Sequence, residues 1–287
     1  MAAFMSQPVF VSSAFVRTIL AHARQSGLCP QHLMARAGIC PSVLAGQRQS
    51  IAARSVEQLW RECEWAGVAP TFGCELADGM ATDCLQGLNI LLDSAATLRA
   101  SLKCFIDCLP RVINYVAVEL VEAGDVAHLR LRSLLGPLHH FALDAAALTL
   151  VRNIARRSGR APGDLFVNVS LGAAQMAESW LCEVGVAVEQ GEHLCLTLRR
   201  SSLDQALLGA NPFLHQSVLR HWHAEASAPA RQDNLTMARH WLTTGDQPIE
   251  RIAERLGYRQ PSNFIRAFRK QFGTTPKQFR LNAGQVC

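Results

Sequence analysis

Apolar residues recur at three- and four-residue intervals over most of this chain, and at two-residue intervals over a shorter middle part. The first spacing predicts helices that bury one face, and the second predicts strands. Residues 11–27 predict a helix with Phe15 and Ile19 on one face, and Pro30–Ala37 a second, shorter one. Ser55–Ala66 places Val56, Leu59, Trp60 and Cys63 at helical spacing. Leu85–Leu92 and Thr97–Leu109 follow, the latter with Leu98, Leu102, Phe105, Ile106 and Leu109 in one stripe. The period then changes. Val112–Val121 and Val126–Arg132 are rich in β-branched residues and flank Ala123-Gly124-Asp125, which predicts a hairpin. Leu138–Arg157 returns to helix, Leu165–Leu171 predicts a strand, and Leu171–Cys182 predicts another helix. Val186–Glu189 and Leu194–Leu198 predict a second hairpin around Gln190-Gly191-Glu192. Residues 10–200 therefore predict a mixed α+β domain with five strands. Ala224–Pro229 has the composition of a short linker, and the chain after Arg231 is helical in pattern.

The C-terminal pattern carries the chemistry. Pro248 suits the first turn of a helix on which Ile249, Ile252, Ala253 and Leu256 share one arc. Gly257 is placed to end that helix in a left-handed conformation. Tyr258-Arg259-Gln260 predicts a tight turn, and Pro261 opens a second helix. Two short helices with a Gly-containing turn between them predict a helix-turn-helix. On the second helix Phe264, Ala267, Phe268, Gln271 and Phe272 share the arc expected to face the core. Ser262, Asn263, Arg266, Arg269 and Lys270 share the opposite arc, with Gln260 at the leading end. Ser, Asn and Gln can read base edges, Arg can bond guanine O6 and N7 together, and Arg and Lys can hold phosphates. These six are the candidate DNA-binding residues. Thr275 and Pro276 predict the N-cap and first position of one more helix.

Charge supports the same end of the chain. The protein has 287 residues and a formal net charge of +5. From Arg231 to Cys287 there are ten Lys or Arg and four Asp or Glu, so the whole positive excess sits in a small C-terminal piece. That asymmetry suits a nucleic-acid-binding unit beside a neutral partner domain.

The run Pro-Ile-x-x-Ile-Ala-x-x-Leu-Gly-Tyr-x-x-Pro-Ser-x-Phe-x-Arg-Ala-Phe-Arg-Lys-x-Phe-Gly-Thr-Thr-Pro-x-x-Phe-Arg, Pro248 to Arg280, resembles the second helix-turn-helix of AraC/XylS-type transcription regulators without a gap over 33 positions. The resemblance implies a DNA-binding role for the polar face and a linker helix over Asp233–Thr244. Residues 15–215 more loosely resemble the family's arabinose-binding-like N-terminal effector domain, through Leu20-Ala21 to Gly27-Leu28, Gly87-Leu88 with Leu91-Leu92, the Val112–Arg132 hairpin and Leu203 to Asn211-Pro212. The implied fold is an α+β N-terminal effector domain with a small all-α helix-turn-helix C-terminal domain. Its divisions are 1–205 for effector binding and dimerisation, 206–230 for a linker or remnant, and 231–287 for DNA binding. The family carries two helix-turn-helix units. Here Phe213–Gln232 offers only twenty residues for the first, too few for two helices, a turn and a connection. With one unit, tight binding calls for a homodimer on two half-sites.

The implied partners are double-stranded DNA, an unidentified small-molecule effector, a second copy of the chain and RNA polymerase. An alternative is a regulator that has lost autonomous DNA binding and pairs with an intact relative. No Gly-rich phosphate loop, nucleophile elbow or metal pair is legible, so neither an enzyme nor a cofactor is expected. His139-His140 with Asp144 is explained as the polar start of a buried helix, and His215, His221 and His223 as surface residues. The ten cysteines include no C-x-x-C and are expected as small buried residues. No apolar run approaches a membrane span and no secretory signal is evident, which points to the reducing cytoplasm. Asn114, Tyr115 and His128 lie near the hairpin, but no effector residue is assigned.

Overall fold

The computed structural model describes residues 9–45, 50–79, 85, 87–172, 176–227, 235, 238, 239, 241, 242, 247–256, 258 and 260–283. The chain divides into two compact units, residues 1–219 and 220–287.

The N-terminal unit begins with β1 (Phe10–Ser12), α1 (Ser13–Gln25), α2 (Pro30–Arg36), α3 (Pro41–Ala45), β2 (Ser50–Ala52) and α4 (Ala53–Trp65). The strands β1 and β2 pair antiparallel as a three-residue ribbon, too short for its alternation to register in sequence. Then come α5 (Phe72–Asp78), α6 (Leu88–Asp93), α7 (Leu98–Cys108), β3 (Val116–Ala123), β4 (Val126–Ser133) and α8 (His140–Ser158). The remainder is α9 (Pro162–Leu165), β5 (Phe166–Leu171), α10 (Ala177–Glu183), β6 (Ala187–Gln190) and β7 (Cys195–Arg199), followed by α11 (Pro212–Ser227), whose first residues belong to this unit and whose last belong to the second.

Five strands make one sheet in the order β3-β4-β7-β5-β6. The β3–β4 hairpin forms as its pattern predicts, with Ala123 opposite Val126 and Gly124 at φ +60 in the two-residue turn. The second expected hairpin does not form. β5 lies between β6 and β7, parallel to the first and antiparallel to the second. The loop after β6 steps across the end of β5, where the Gly191 N–H donates to Leu171 O at 2.9 Å. A Cβ on Gly191 would stand 1.9 Å from Ser170 Oγ, so glycine allows this close crossing. The physical reason for the different pairing is burial. Phe166, Val169 and Leu171 of β5 are almost wholly enclosed, which puts this strand inside the sheet.

Helices α7 and α8 cover one sheet face. Ala127 and Leu129 of β4, Leu196 and Leu198 of β7 and the β5 residues pack there against Leu98, Leu102, Leu148, Val151 and Ile154. A second core gathers α1, α2, α4 and α5 around Trp60, Phe72 and Phe141, whose rings lie 5.3–6.4 Å apart. The 19-residue α8 serves both cores, the first through its C-terminal half and the second through Phe141 and Ala145. α5 crosses α8 at Gly73, where a Cβ would meet Phe141 O at 2.4 Å.

Several expectations shift. The helix expected over Leu171–Cys182 spans Ala177–Glu183, and that over Leu85–Leu92 begins at Leu88. Ala224–Ser227, expected as linker, is the last turn of α11, since Ala and Glu propagate a helix well. His215 is half-buried and its Nδ1 lies 3.0 Å from Leu91 O, whereas His221 is exposed. Cys63, Cys74 and Cys108 are buried, and burial pushes their thiols up to about 12, 12 and 11. Cys29, Cys40 and Cys182 are instead exposed, because they sit at helix edges rather than on apolar stripes. Among the described residues no helix is long and apolar enough to cross a membrane.

Candidate nucleic-acid interface

The C-terminal unit contains α12 (Ile249–Arg255), α13 (Pro261–Phe272) and α14 (Pro276–Ala283). Pro248 is the N-cap of α12 rather than its first helical residue, with extended backbone at φ −54, ψ 143. Ile252, Ala253 and Leu256 are buried as their spacing predicts. Gly257 and Arg259, assigned to the turn, lie outside the described residues. Beyond α12 the Tyr258 N–H donates to Ala253 O at 3.0 Å. Of the linker helix expected over Asp233–Thr244, the described residues Leu235, Ala238, Arg239, Trp241 and Leu242 are helical, and Leu235, Ala238 and Leu242 are buried.

Gln260 caps α13 with extended backbone, Pro261 takes the first helical position, and Gly273 ends the helix at φ +74. Phe264 and Phe268 are fully buried. Phe268 sits 5.7 Å from Phe264, 4.6 Å from Phe272 and 5.7 Å from Phe279, measured between ring centroids. Phe272 is half-buried, and Arg239 lies over its ring at 5.8 Å. Gln271, placed by period on the core arc, is exposed, because the last helical turn leaves its amide a path to water. Thr275 and Gln278 form a reciprocal cap on α14. The Gln278 N–H donates to Thr275 Oγ1 at 3.3 Å, and the Thr275 N–H donates to Gln278 Oε1 at 3.3 Å.

This core fixes the opposite face. Gln260, Ser262, Asn263, Arg266, Arg269 and Lys270 are all exposed. Among the described residues no carboxylate pairs with Arg266, Arg269 or Lys270. At 100° per residue, Ser262 to Lys270 cover an arc of about 120° and extend about 12 Å along the axis. A rigid helix with that footprint matches a major groove about 12 Å wide.

In the N-terminal unit the structure assembles groups that local sequence did not. Glu64 meets both adjacent histidines, with Oε2 3.1 Å from His139 Nε2 and Oε1 3.1 Å from His140 Nε2. The three could be drawn as metal ligands. The tautomer argues otherwise, because His139 Nδ1 accepts the Phe141 N–H and so leaves the proton on Nε2, facing Glu64. Asp144 belongs elsewhere and accepts from the Met176 and Ala177 N–H groups at 3.0 Å each. Burial lowers the His139 pKa although Glu64 opposes this, and Arg61 and His140 add to the lowering. The hydrogen bond from His140, then that from His139, lowers the Glu64 pKa. Glu57 also faces this group, accepting from the His139 backbone, and burial raises its carboxyl. A histidine with a depressed folded pKa is cheaper to protonate when unfolded. Its contribution is therefore present above the ordinary value of about 6.5 and lost as pH falls below it. The expected outcome is a lower thermal unfolding midpoint of the N-terminal unit on going from neutral pH towards pH ~5.5. The slope should flatten in His139→Gln, and an unchanged slope would remove His139 from the cause.

Of the polar residues near the hairpin, Tyr115 is buried beside a cavity, and burial pushes its phenol up to about 12. Asn114 Oδ1 accepts from the Phe10 N–H, and His128 Nδ1 lies 3.2 Å from Thr197 Oγ1, so both have structural partners.

Comparison with known proteins gives two family matches. Residues 27–207 match the arabinose-binding domain of AraC transcription regulator, N-terminal, and residues 212–282 match a helix-turn-helix domain. A segment of 44 residues, 15% of this chain, is 46% identical to the uncharacterized HTH-type transcriptional regulator YtdP of Bacillus subtilis (strain 168), and spans only 6% of that protein. Among solved structures, the transcriptional regulator CdpR from Pseudomonas aeruginosa aligns over 93% of this chain and 98% of its own, with a TM-score of 0.48 and 17% identity.

Proposed function

Because the chain belongs to the AraC family of transcription regulators, we propose that it binds double-stranded DNA by inserting α13 into the major groove, under control of a small molecule held by its N-terminal unit. The observation that carries this reading is the division of α13 into a buried aromatic face and an exposed face bearing Gln260, Ser262, Asn263, Arg266, Arg269 and Lys270. In this reading Gln260, Ser262, Asn263 and Arg266 meet bases near the leading end of the helix. Arg269 and Lys270 hold phosphates. Residues 231–287 are the DNA-binding part and 1–205 the effector-binding and dimerising part.

The segment between the two parts bears on stoichiometry. Pro212–Ser227 is one continuous helix. That favours a single complete helix-turn-helix per chain and hence a homodimer spanning two half-sites, with RNA polymerase contacted from the bound dimer. The same observation supports the second reading, in which the chain has lost independent DNA binding and pairs with an intact relative.

The test begins by recovering bound fragments from genomic DNA with purified protein. Arg266→Ala is expected to weaken binding to the recovered site by about 1–3 kcal/mol and to relax sequence preference at one position. Lys270→Ala should weaken all sequences alike and reduce the salt slope by about 1. Unchanged affinity in Arg266→Ala would count against the assigned face. Absence of any salt-dependent DNA binding, with co-elution of another regulator, would favour the second reading.

A further inference from the structure

The N-terminal unit contains a partly open cavity of about 140 Å3 lined by α1, α4, α6, α7, α8 and the β3–β4 hairpin. Its long wall is a stripe on α8, made by Ala142, Ala146, Thr149, Leu150, Asn153 and Arg157. Those spacings keep to one side of a helix, and fifteen residues of rise make the stripe about 22 Å long. The lining therefore runs lengthwise along α8, and its ends differ. Near the start of α8 it includes Phe15, Trp60 and Tyr115. At the far end stand Asn89, Asn153 and Arg157, and between the two ends the opposite wall is Leu102, Phe105 and Leu109.

The polar end is built around a buried cation. Arg157 Nε donates to Asp93 Oδ1 at 2.5 Å, and its Nη2 donates to Asn89 Oδ1 at 2.7 Å. Its Nη1 makes no hydrogen bond among the described residues. Asp93 is shared, since Arg156 Nη2 also donates to it at 2.8 Å. Arg156 is half exposed and lies outside the cavity lining, so among the described residues Arg157 is the one charged group that lines it.

The walls discriminate between ligand classes. A pentose carries hydroxyl groups around its whole ring, whereas the lining is mostly Leu, Ala, Phe and Ile, with Ser101 and Thr149 the polar side chains between its two ends. Each buried hydroxyl left without a partner costs about 1–3 kcal/mol. A hydrocarbon chain needs no such partners, and a terminal carboxylate would meet a charge-assisted donor only at Arg157. Resting on the reading of this unit as effector-binding, we propose that the cavity takes a straight-chain carboxylate, with its head at Asn153 and Arg157 and its chain along α8 towards Trp60. The same walls disfavour arabinose, which would leave most of its hydroxyl groups without partners.

The full-length protein is titrated with sodium decanoate, 1-decanol and L-arabinose, following tryptophan fluorescence and the thermal unfolding midpoint. Decanoate should bind saturably and raise the midpoint, and arabinose should do neither. Asn153→Asp changes no volume but sets a negative charge beside the head, so it should weaken decanoate binding about tenfold and leave 1-decanol unchanged. Ala146→Leu fills the channel. It should abolish binding of both chain compounds while the ligand-free midpoint stays near wild type. Binding of arabinose in preference to decanoate would overturn the proposal. So would the absence of binding by every saturated carboxylate from hexanoate to hexadecanoate, or an equal effect of Asn153→Asp on decanoate and 1-decanol. DNA binding is measured on the same samples with and without ligand. Decanoate binding by a protein that binds no DNA in either state would support this site and overturn the reading of α13 as a DNA-inserting helix. Intact DNA binding with no carboxylate binding would overturn this site alone.

Discussion

Phe268→Ala is expected to unfold the C-terminal unit while the N-terminal unit stays folded. Phe268 is fully buried and its ring touches three others, those of Phe264, Phe272 and Phe279. Removing a buried phenylalanine ring costs about 3–5 kcal/mol, as lost transfer energy plus a cavity. A unit of 68 residues has a total stability of about 3–10 kcal/mol. The lower half of that range lies within reach of this one substitution. The two units have separate cores, one centred on α8 and the other on α13, so the loss should be confined. Hydrogen exchange measured by mass spectrometry should show protection vanishing across residues 249–283 and persisting across 140–171. Phe268→Leu keeps most of the volume and should cost less than about 1.5 kcal/mol. DNA binding should follow protection, lost in the alanine variant and kept in the leucine one. Persistent protection in Phe268→Ala would mean that the aromatic cluster is not what holds the recognition helix in place.

The helix-turn-helix was legible because its signals are local. Pro261, the Phe264 and Phe268 spacing and the Thr275-Pro276 start each act within a turn or two, so neighbours in sequence specify them. Failures lie where distant segments decide. The two strands after Glu183 have a hairpin's spacing, yet β5 enters between them from earlier in the chain. Nothing within residues 186–198 could announce that. The pairing of Glu64 with His139 and His140 joins residues 75 and 76 positions apart. Leu138–Arg157 was readable as a helix, but one of its faces becomes a cavity wall only when α7 and the hairpin stand opposite it without filling the gap. Asn89 and Asp93 reach Arg157 from α6, over 60 residues away. The exposed polar arc of α13 was thus readable from its spacing, and the candidate effector site only as single residues such as Tyr115.

Asp144 offers the second large effect, and it separates two roles that sequence could not. It interrupts the apolar run Phe141–Val151, and it is completely buried. Its Oδ1 accepts the N–H groups of Met176 and Ala177 at the start of α10, while Oδ2 is buried with no hydrogen-bond partner among the described residues. Burial raises its pKa against the pull of those two donors. The sign is therefore opposite to that of His139. A carboxyl with a raised folded pKa contributes stability below its unfolded value and loses it as pH rises through the folded one, so at neutral pH the charge itself is a cost. The hydrogen bonds are the benefit. Asp144→Ala leaves the buried Ala177 N–H and the partly buried Met176 N–H without their acceptor, at about 1–3 kcal/mol each at most, and should destabilise the N-terminal unit by about 2–4 kcal/mol. Asp144→Asn keeps the accepting oxygen and removes the charge, so it should stay within about 1 kcal/mol of wild type at neutral pH. Denaturant titrations of both variants, with hydrogen exchange followed at residues 177–183, measure the difference. If Asn proved as damaging as Ala, the negative charge at the α10 N-terminus, and not the pair of hydrogen bonds, would be what the fold requires of this position.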